Sequence, residues 1–436
     1  MAAIAAAREG GSVLLIEQYG FLGGSLTAMG VSPMMSFHNR SGKQLVRGQP
    51  QELIDRLVRR GASPGHIPDS TGYCSTVTPF DSEALKVELE TMAVEAGVTL
   101  LYHTMLVDVV RQDDRLVSVI VANKGGLSQY TAQVYIDSTG DADLAARAGV
   151  PFSYGREKDG AAQPMTMNFK VGQVDTDTLR AYIMERPETF PHMQVEILQH
   201  TPRLSLGGFL IEWEQAIEAR EITVPREYVL MFETATPGVI VVNTSRVGYL
   251  DATDPFDLSK AELIGRQQAN EIFRFLKTHC RGFEDSILLA TPTQVGVRES
   301  RHIQGLYVLT EQDVIEATQF EDPIVVGGYP IDIHNPTPDT ARATHTTHLD
   351  PHIEYQIPMR SLLTSEVNNL IVACRGLSAT HEAMAAIRVT PIMMAVGQAA
   401  GIMGAASGEF DRPPLDLTYS VVRPILDQRG VYLGGD

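Results

Sequence analysis

The chain has few cysteines, few cations and no long apolar run. Its three cysteines, Cys74, Cys280 and Cys374, lie far apart among 436 residues, with no C-x-x-C spacing. That excludes a disulfide scaffold and fits a reducing compartment, the cytoplasm. It also excludes an ordinary iron–sulfur cluster held by this chain alone, which needs four thiolates. Lysine and arginine number 35 against 53 acidic residues, and 35 − 53 leaves a net charge of −18. Such a chain is poorly suited to nucleic acid, whose phosphates must be neutralised, or to an anionic membrane surface. No apolar stretch nears the roughly 20 residues of a membrane span. The longest, 391–403, is broken by Gly397, Gln398 and Gly401. The apolar N-terminus has no basic region and runs straight into Arg8 and Glu9, so no signal peptide is expected. What is present is ordinary globular composition, 44% hydrophobic and 20% charged, in a length that suits two or three domains.

Residues 1–9 are Ala-rich and read as a helix that Gly10-Gly11 stops. Ser12 to Ile16 (SVLLI) reads as a buried strand, and Glu17 stands at its end. Helix, turn, apolar strand and terminal carboxylate form the second half of a βαβ unit that binds a dinucleotide, the carboxylate accepting the ribose hydroxyls. An ordinary αβ pair with a surface Glu has the same pattern. The G-x-G-x-x-G fingerprint belongs about 20 residues before the acidic residue. Only 16 residues precede Glu17 here, and none of the first nine is glycine. We therefore expect the first strand and its Gly-rich loop to lie upstream of Met1, and this chain to bind FAD weakly or not at all. After Glu17, Gly23-Gly24 makes a turn in which backbone N–H groups can approach a ligand.

Further along, 49–60 and 81–96 have helical periodicity, with Asp81 as N-cap of the second. Strands are expected at 98–103 and 106–111, and a hairpin-like pair at 116–121 and 130–137 around Gly125-Gly126. From 151 the texture changes. Strands at 165–171, 228–232 and 239–242 alternate with helices at 175–184 and 258–278. This predicts an α/β fold with a discontinuous nucleotide domain, 1–150 and 353–436, and an inserted α+β substrate domain, 151–352. Asn369 to Cys374 reads as a strand, and Thr390-Pro391 as the N-cap and N1 pair of a long helix.

Four stretches together resemble FAD-dependent oxidoreductases of the glutathione-reductase-like superfamily, nearest the heterodisulfide-reductase A-like and fumarate-reductase-like flavoproteins. They are 14–17 (LLIE) with Gly23-Gly24, 136–141 (IDSTGD), 296–301 (GVRESR) and 369–401, the last with ACRGLSATHE, RVTP and GQAAG. The resemblance runs over nearly the whole chain. It implies a Rossmann-like FAD-binding domain, incomplete at its N-terminus, and hydride or electron transfer between FAD and a small organic substrate. It implies that Glu17, Gly23, Gly24, Thr139, Gly140 and Asp141 contact the cofactor, with Arg375 beside them. The helix starting at Pro391 then points its N-terminus at the flavin, with Ile392, Met393 and Met394 as backbone donors, and a helix N-terminus favours the negative charge of reduced flavin. The same resemblance allows an electron-transfer subunit with an iron–sulfur partner protein, although the cluster cysteines of such subunits are missing.

The candidate catalytic residues are His381, Glu382 and Arg388, just before that helix, with Arg298 and His334. Arg298 and Arg301 could offer two cations to an anionic substrate, or pair with Glu299 and other carboxylates. Segment 329–334 (YPIDIH) resembles one lining the active-site side, and Asp332 and His334 are acid–base candidates. Alternation along a strand would also point them to one side for structural reasons. His345, His348 and His352 lack a helix to align them, so no metal site is expected. Gly397 and Gly401 give a flat helix face for another backbone or the cofactor.

Overall fold

Ala2–Arg8 is helical, and Gly10, at φ +87°, turns the chain into the strand Leu14–Ile16. The computed structural model describes residues 1–337 and 343–435. Leu14–Ile16 pairs in parallel with Thr99–Leu101, and Tyr135–Asp137 pairs in parallel with Leu370–Val372. Among the described residues no strand pairing joins these two ladders. Side chains from both ladders pack on a helical layer dominated by Thr390–Glu409. That helix is apolar on nearly every side, as its burial demands. Its small residues decide its neighbour. A Cβ on Gly401 would lie 2.2 Å from the Ala2 carbonyl oxygen, and one on Gly397 would lie 3.0 Å from the Met1 Cβ. The flat face therefore meets the backbone of the first helix.

Gln49–Arg59 and Ser82–Glu95 form as their periodicity predicts, and the Asp81 carboxylate accepts the N–H groups of Glu83 and Ala84. The hairpin expectation needs correction. Arg115–Asn123 pairs with Gly126–Tyr130, making a three-stranded antiparallel sheet with Met105–Gln112. Tyr135–Asp137 leaves that sheet for the distant Leu370–Val372, a parallel partner that local alternation cannot reveal. Residues 165–171 were expected as one strand, but only Phe169–Gly172 is a full strand. Met165 and Thr166 make isolated bridges to Val247 and Gly296.

A second core spans 165–297 together with Met29. It lies under a five-stranded antiparallel sheet in the order Ser205–Gly208, Val229–Glu233, Ile240–Val242, Phe169–Gly172, Ile287–Ala290. Helix Pro255–His279, capped by Asp254, packs into this core, as does Trp213, the one tryptophan of the chain. Segments 309–363 return to the first core.

Candidate active site

Two short elements converge on the start of helix Thr390–Glu409. Helix His381–Ile387 meets it at 92°, with Arg388 as C-cap of the shorter helix. Strand Ile331–His334, paired with Thr344–Thr347, packs against the shorter helix.

The N-cap of the long helix is Val389, not Thr390, and no side chain caps it. Thr390 and Pro391 occupy its first two positions. The Met393 N–H is bonded to the Val389 carbonyl at 3.0 Å. Helix geometry leaves the N–H groups of Thr390 and Ile392, on either side of Pro391, without intrahelical partners. Of the three expected donors, Ile392 keeps a free N–H, whereas Met393 and Met394 lie within the intrahelical ladder.

Glu17 stands at the end of its strand, where Oε1 accepts the Tyr19 N–H at 3.0 Å, and burial pushes its pKa up. Gly23 (φ +119°) is required by packing, since a Cβ would sit 2.5 Å from Thr27, whereas Gly24 faces open space. On the other ladder, the fully buried Asp137 carboxylate organises the next turn. It accepts the Thr139 N–H (3.0 Å) and hydroxyl (2.7 Å) and the Ala145 N–H (2.9 Å). Gly140, at φ +93°, lets Arg375 cross it, and Arg375 Nη2 donates to Asp141 Oδ1 at 2.5 Å. The buried Arg375 Nε has no partner. Arg301 pairs with a carboxylate. It binds the Asp141 carbonyl and the Asp143 carboxylate, holding the same turn.

Glu299 does not pair with Arg298 or Arg301. Its Oε1 accepts from His302 Nε2 (2.9 Å) and His381 Nδ1 (2.7 Å), and its Oε2 accepts the Gln163 N–H (2.8 Å). Burial alone would raise its pKa, but the two histidines outweigh that and hold it at about 2. An ionised carboxylate only accepts, so His381 donates to it from Nδ1. The Gln163 side chain continues the network, its Oε1 accepting the His334 N–H at 3.1 Å.

Asp332 is the centre of a second group. Its Oδ2 lies 3.3 Å from His334 Nε2, 3.3 Å from the Tyr329 hydroxyl and 3.5 Å from Arg388 Nη2. Burial works against ionisation of Asp332, yet His334, Arg388 and Arg298 keep its pKa below the usual carboxylate range. His334 is pushed down to about 3, by burial first and then by Arg298. It is therefore neutral near pH 7 and donates Nε2–H to the carboxylate. Arg298 binds the Pro164 carbonyl and the Thr166 hydroxyl, both at 2.6 Å. Burial, then Arg388 and Arg226, lower its pKa to about 9.

His381, Arg388, Arg298 and His334 are thus brought to one region, while Glu382 makes no ion pair there. Glu299 as a double acceptor, His302 and Gln163 were missed. A Glu three residues before a His was the only local signal for the first pair. Asp332 and His334 do alternate onto one side of their strand. His345 and His348 lie on or just after Thr344–Thr347, where the His348 ring stands 5.8 Å from that of Tyr73.

A family model described as "FAD dependent oxidoreductase" matches residues 1–426. Among curated proteins, none matches the chain. Among solved structures, a triple mutant of a flavin-dependent brominase superposes with a TM-score of 0.50 at 13% identity, covering 98% of this chain and 81% of its own. A geranylgeranyl bacteriochlorophyll reductase-like protein from Thermoplasma acidophilum gives a TM-score of 0.44 at 10% identity, covering 98% and 80%. A p-nitrophenol 4-monooxygenase from Pseudomonas putida gives 0.45 at 10% identity, covering 99% and 82%. At such identities the likeness concerns the α/β fold alone. No single helix among the described residues is long and apolar enough to cross a membrane.

Proposed function

The chain belongs to the FAD dependent oxidoreductase family, enzymes whose cofactor is FAD, and from that premise we propose that it oxidises or reduces a small anionic organic molecule at the junction of helices 381–387 and 390–409. FAD supplies the hydride or electron transfer when bound. The carrying observation is the convergence of Asp332, His334, Arg298, Arg388 and His381 beside an uncapped helix N-terminus. We propose that residues 1–150 and 353–436 hold the cofactor in a Rossmann-like arrangement and that 151–352 contribute the substrate side. The separate core under 165–297 supports that division up to residue 297, whereas 309–352 pack with the first core.

Several groups fit FAD. Glu17 is a strand-end carboxylate suited to ribose hydroxyls. The Gly140 turn carries a buried guanidinium nitrogen without a partner, suited to a phosphate or ribose oxygen. The N–H groups of Thr390 and Ile392 suit an electron-rich edge.

The protein's own groups handle charge and protons. Arg298 and Arg388 orient an anion. Asp332 stays ionised and, with the Tyr329 hydroxyl, fixes the His334 ring. His381 Nε2, backed by Glu299, accepts a proton from substrate and returns it. A second reading has electrons entering from an iron–sulfur partner protein; the lack of a second Gly-rich nucleotide motif fits electron entry from substrate or from a partner alike. Co-purifying iron separates that reading from the first.

The test is flavin retention. Contrary to the weak binding expected from the sequence alone, purified chain mixed with FAD and passed through gel filtration should stay yellow, since the family match runs over residues 1–426. Glu17→Ala should weaken FAD binding ten- to a hundredfold, corresponding to about 1.5–3 kcal/mol for hydrogen bonds to a charged group. A colourless wild-type chain, or unchanged affinity in the variant, would sink the assignment.

A further inference from the structure

Lys170 is a cation that the fold leaves without an anion. It sits on strand Phe169–Gly172, between Phe169 and Val171, which pack into the second core. Alternation turns Lys170 to the opposite face of the sheet, where its Nζ donates to the Ser82 hydroxyl at 2.5 Å. Ser82 opens helix Ser82–Glu95. Two carboxylates, Asp81 and Glu83, act on the amine from a distance, and both are engaged elsewhere. Asp81 accepts the Glu83 and Ala84 N–H groups of its own helix, and Glu83 pairs with Lys86 at 2.9 Å. Among the described residues Lys170 forms no ion pair, and the Ser82 hydroxyl is its one side-chain partner. Burial pushes its pKa down against the pull of Asp81 and Glu83, and Lys86 lowers it further. A lysine so placed offers more unprotonated, nucleophilic amine than an exposed one.

Lys170, Ser82 and Ser32 line one small cavity, whose apolar walls are Leu26, Phe80 and Val241. Leu26 and Phe80 belong to the first core, so the cavity lies between that core and the sheet over the second. It measures about 10 Å³, the room that one water or one methyl group needs. Ser32 is 8% exposed, and its hydroxyl has no hydrogen-bond partner. Orphaned buried polar groups are rare in native proteins and mark a missing partner. An amine, an unused hydroxyl donor and an apolar wall match the three parts of an acetamide: its N–H, its carbonyl oxygen and its methyl group.

We propose that Lys170 is a site of covalent acylation, taking an acyl group of acetyl size from an acyl phosphate. The unprotonated Nζ attacks the carbonyl carbon. A C–N bond forms, the C–O bond to phosphate breaks, phosphate leaves with that electron pair, and the proton lost from nitrogen passes to solvent. The Ser32 hydroxyl donates to the carbonyl oxygen as negative charge develops there, and stays bonded to it in the product. The amide N–H keeps the Ser82 hydroxyl as its acceptor, and the methyl group lies against Leu26, Phe80 and Val241. Acylation thereby removes the cost of holding an unpaired cation between the two cores.

The test incubates the full chain, in FAD-saturated buffer near neutral pH, with limiting acetyl phosphate. Digestion by a protease that does not cut at lysine, followed by mass spectrometry, reads acetyl occupancy at each of the seven lysines. Lys170 should label at least about fivefold faster than the median of the others. That preference should vanish in urea. Ser32→Ala should slow labelling of Lys170 severalfold and leave the other lysines unchanged, with folding checked by circular dichroism. Lys170 labelling no faster than the others, a preference that survives in urea, or a folded Ser32→Ala variant that labels Lys170 as fast as wild type would overturn the proposal.

Discussion

Replacing Glu299 with Gln removes the acceptor on which two imidazoles and one backbone N–H depend. The side chain keeps its shape, so the change isolates charge and hydrogen bonding. Holding a carboxylate at about 2 instead of 4.5 corresponds to roughly 3 kcal/mol favouring the ionised form in the native state. Glu299 is 1% exposed, so solvent screens little of this. A Gln amide also cannot accept at both ends. Its NH₂ must face either the Gln163 N–H or the pair His302 Nε2 and His381 Nδ1, and any donor–donor contact adds to the loss. A depressed carboxylate stabilises fully above its unfolded pKa and loses that contribution as pH falls through the folded one. Glu299→Gln should therefore be about 3 kcal/mol less stable at pH 7, with the gap constant down to about pH 4.5 and closing toward pH 2. Urea unfolding of both proteins across that range measures it. A gap under about 1 kcal/mol at pH 7, or one that persists undiminished at pH 3, would refute the reasoning.

His334 gives a second pH signature. With its native pKa pushed down to about 3 from 6.5, the unfolded chain binds a proton that the native chain does not. Stability should thus fall with pH below 6.5, at up to about 1.4 kcal/mol per pH unit from this group. His334→Gln, which can still donate to Asp332, should lose that share of the slope in urea midpoints measured between pH 7 and 5. Gly401→Ala should destabilise by about 1–3 kcal/mol, because the added methyl meets the Ala2 carbonyl, whereas Gly24→Ala should cost less, having only its left-handed φ to oppose it. Thermal midpoints of the two variants check the order.

Local signals carried well where a feature is local. The Asp81 cap, the 3.6-residue period of 49–59 and 82–95, and the apolar strand before Glu17 were readable because each depends on neighbours within a turn. The move of Tyr135–Asp137 to Leu370–Val372 was not, since a parallel partner more than 200 residues away leaves no trace in alternation. At the site, Asp332 and His334 were legible as same-side strand residues. Gln163 was not, because a lone polar residue in an unrelated segment acquires meaning only when the tertiary fold sets it against His334. Arg298 and Glu299 show the limit of adjacency. They are sequence neighbours, yet one donates to the Pro164 carbonyl and the Thr166 hydroxyl and the other anchors two imidazoles.

The backbone-to-backbone seam at Gly397 and Gly401 also sets an order of events. Residues 2–6 leave the ribosome almost 400 positions before the surface they fit is made. During synthesis the opening helix must wait with its apolar side uncovered. The 165–297 core has nearly all its partners within its own stretch and can close early. The layer around helix Thr390–Glu409 therefore locks late, when residues 2–6 meet it. A lesion in that seam should delay completion of that layer while leaving the tryptophan-bearing core already formed.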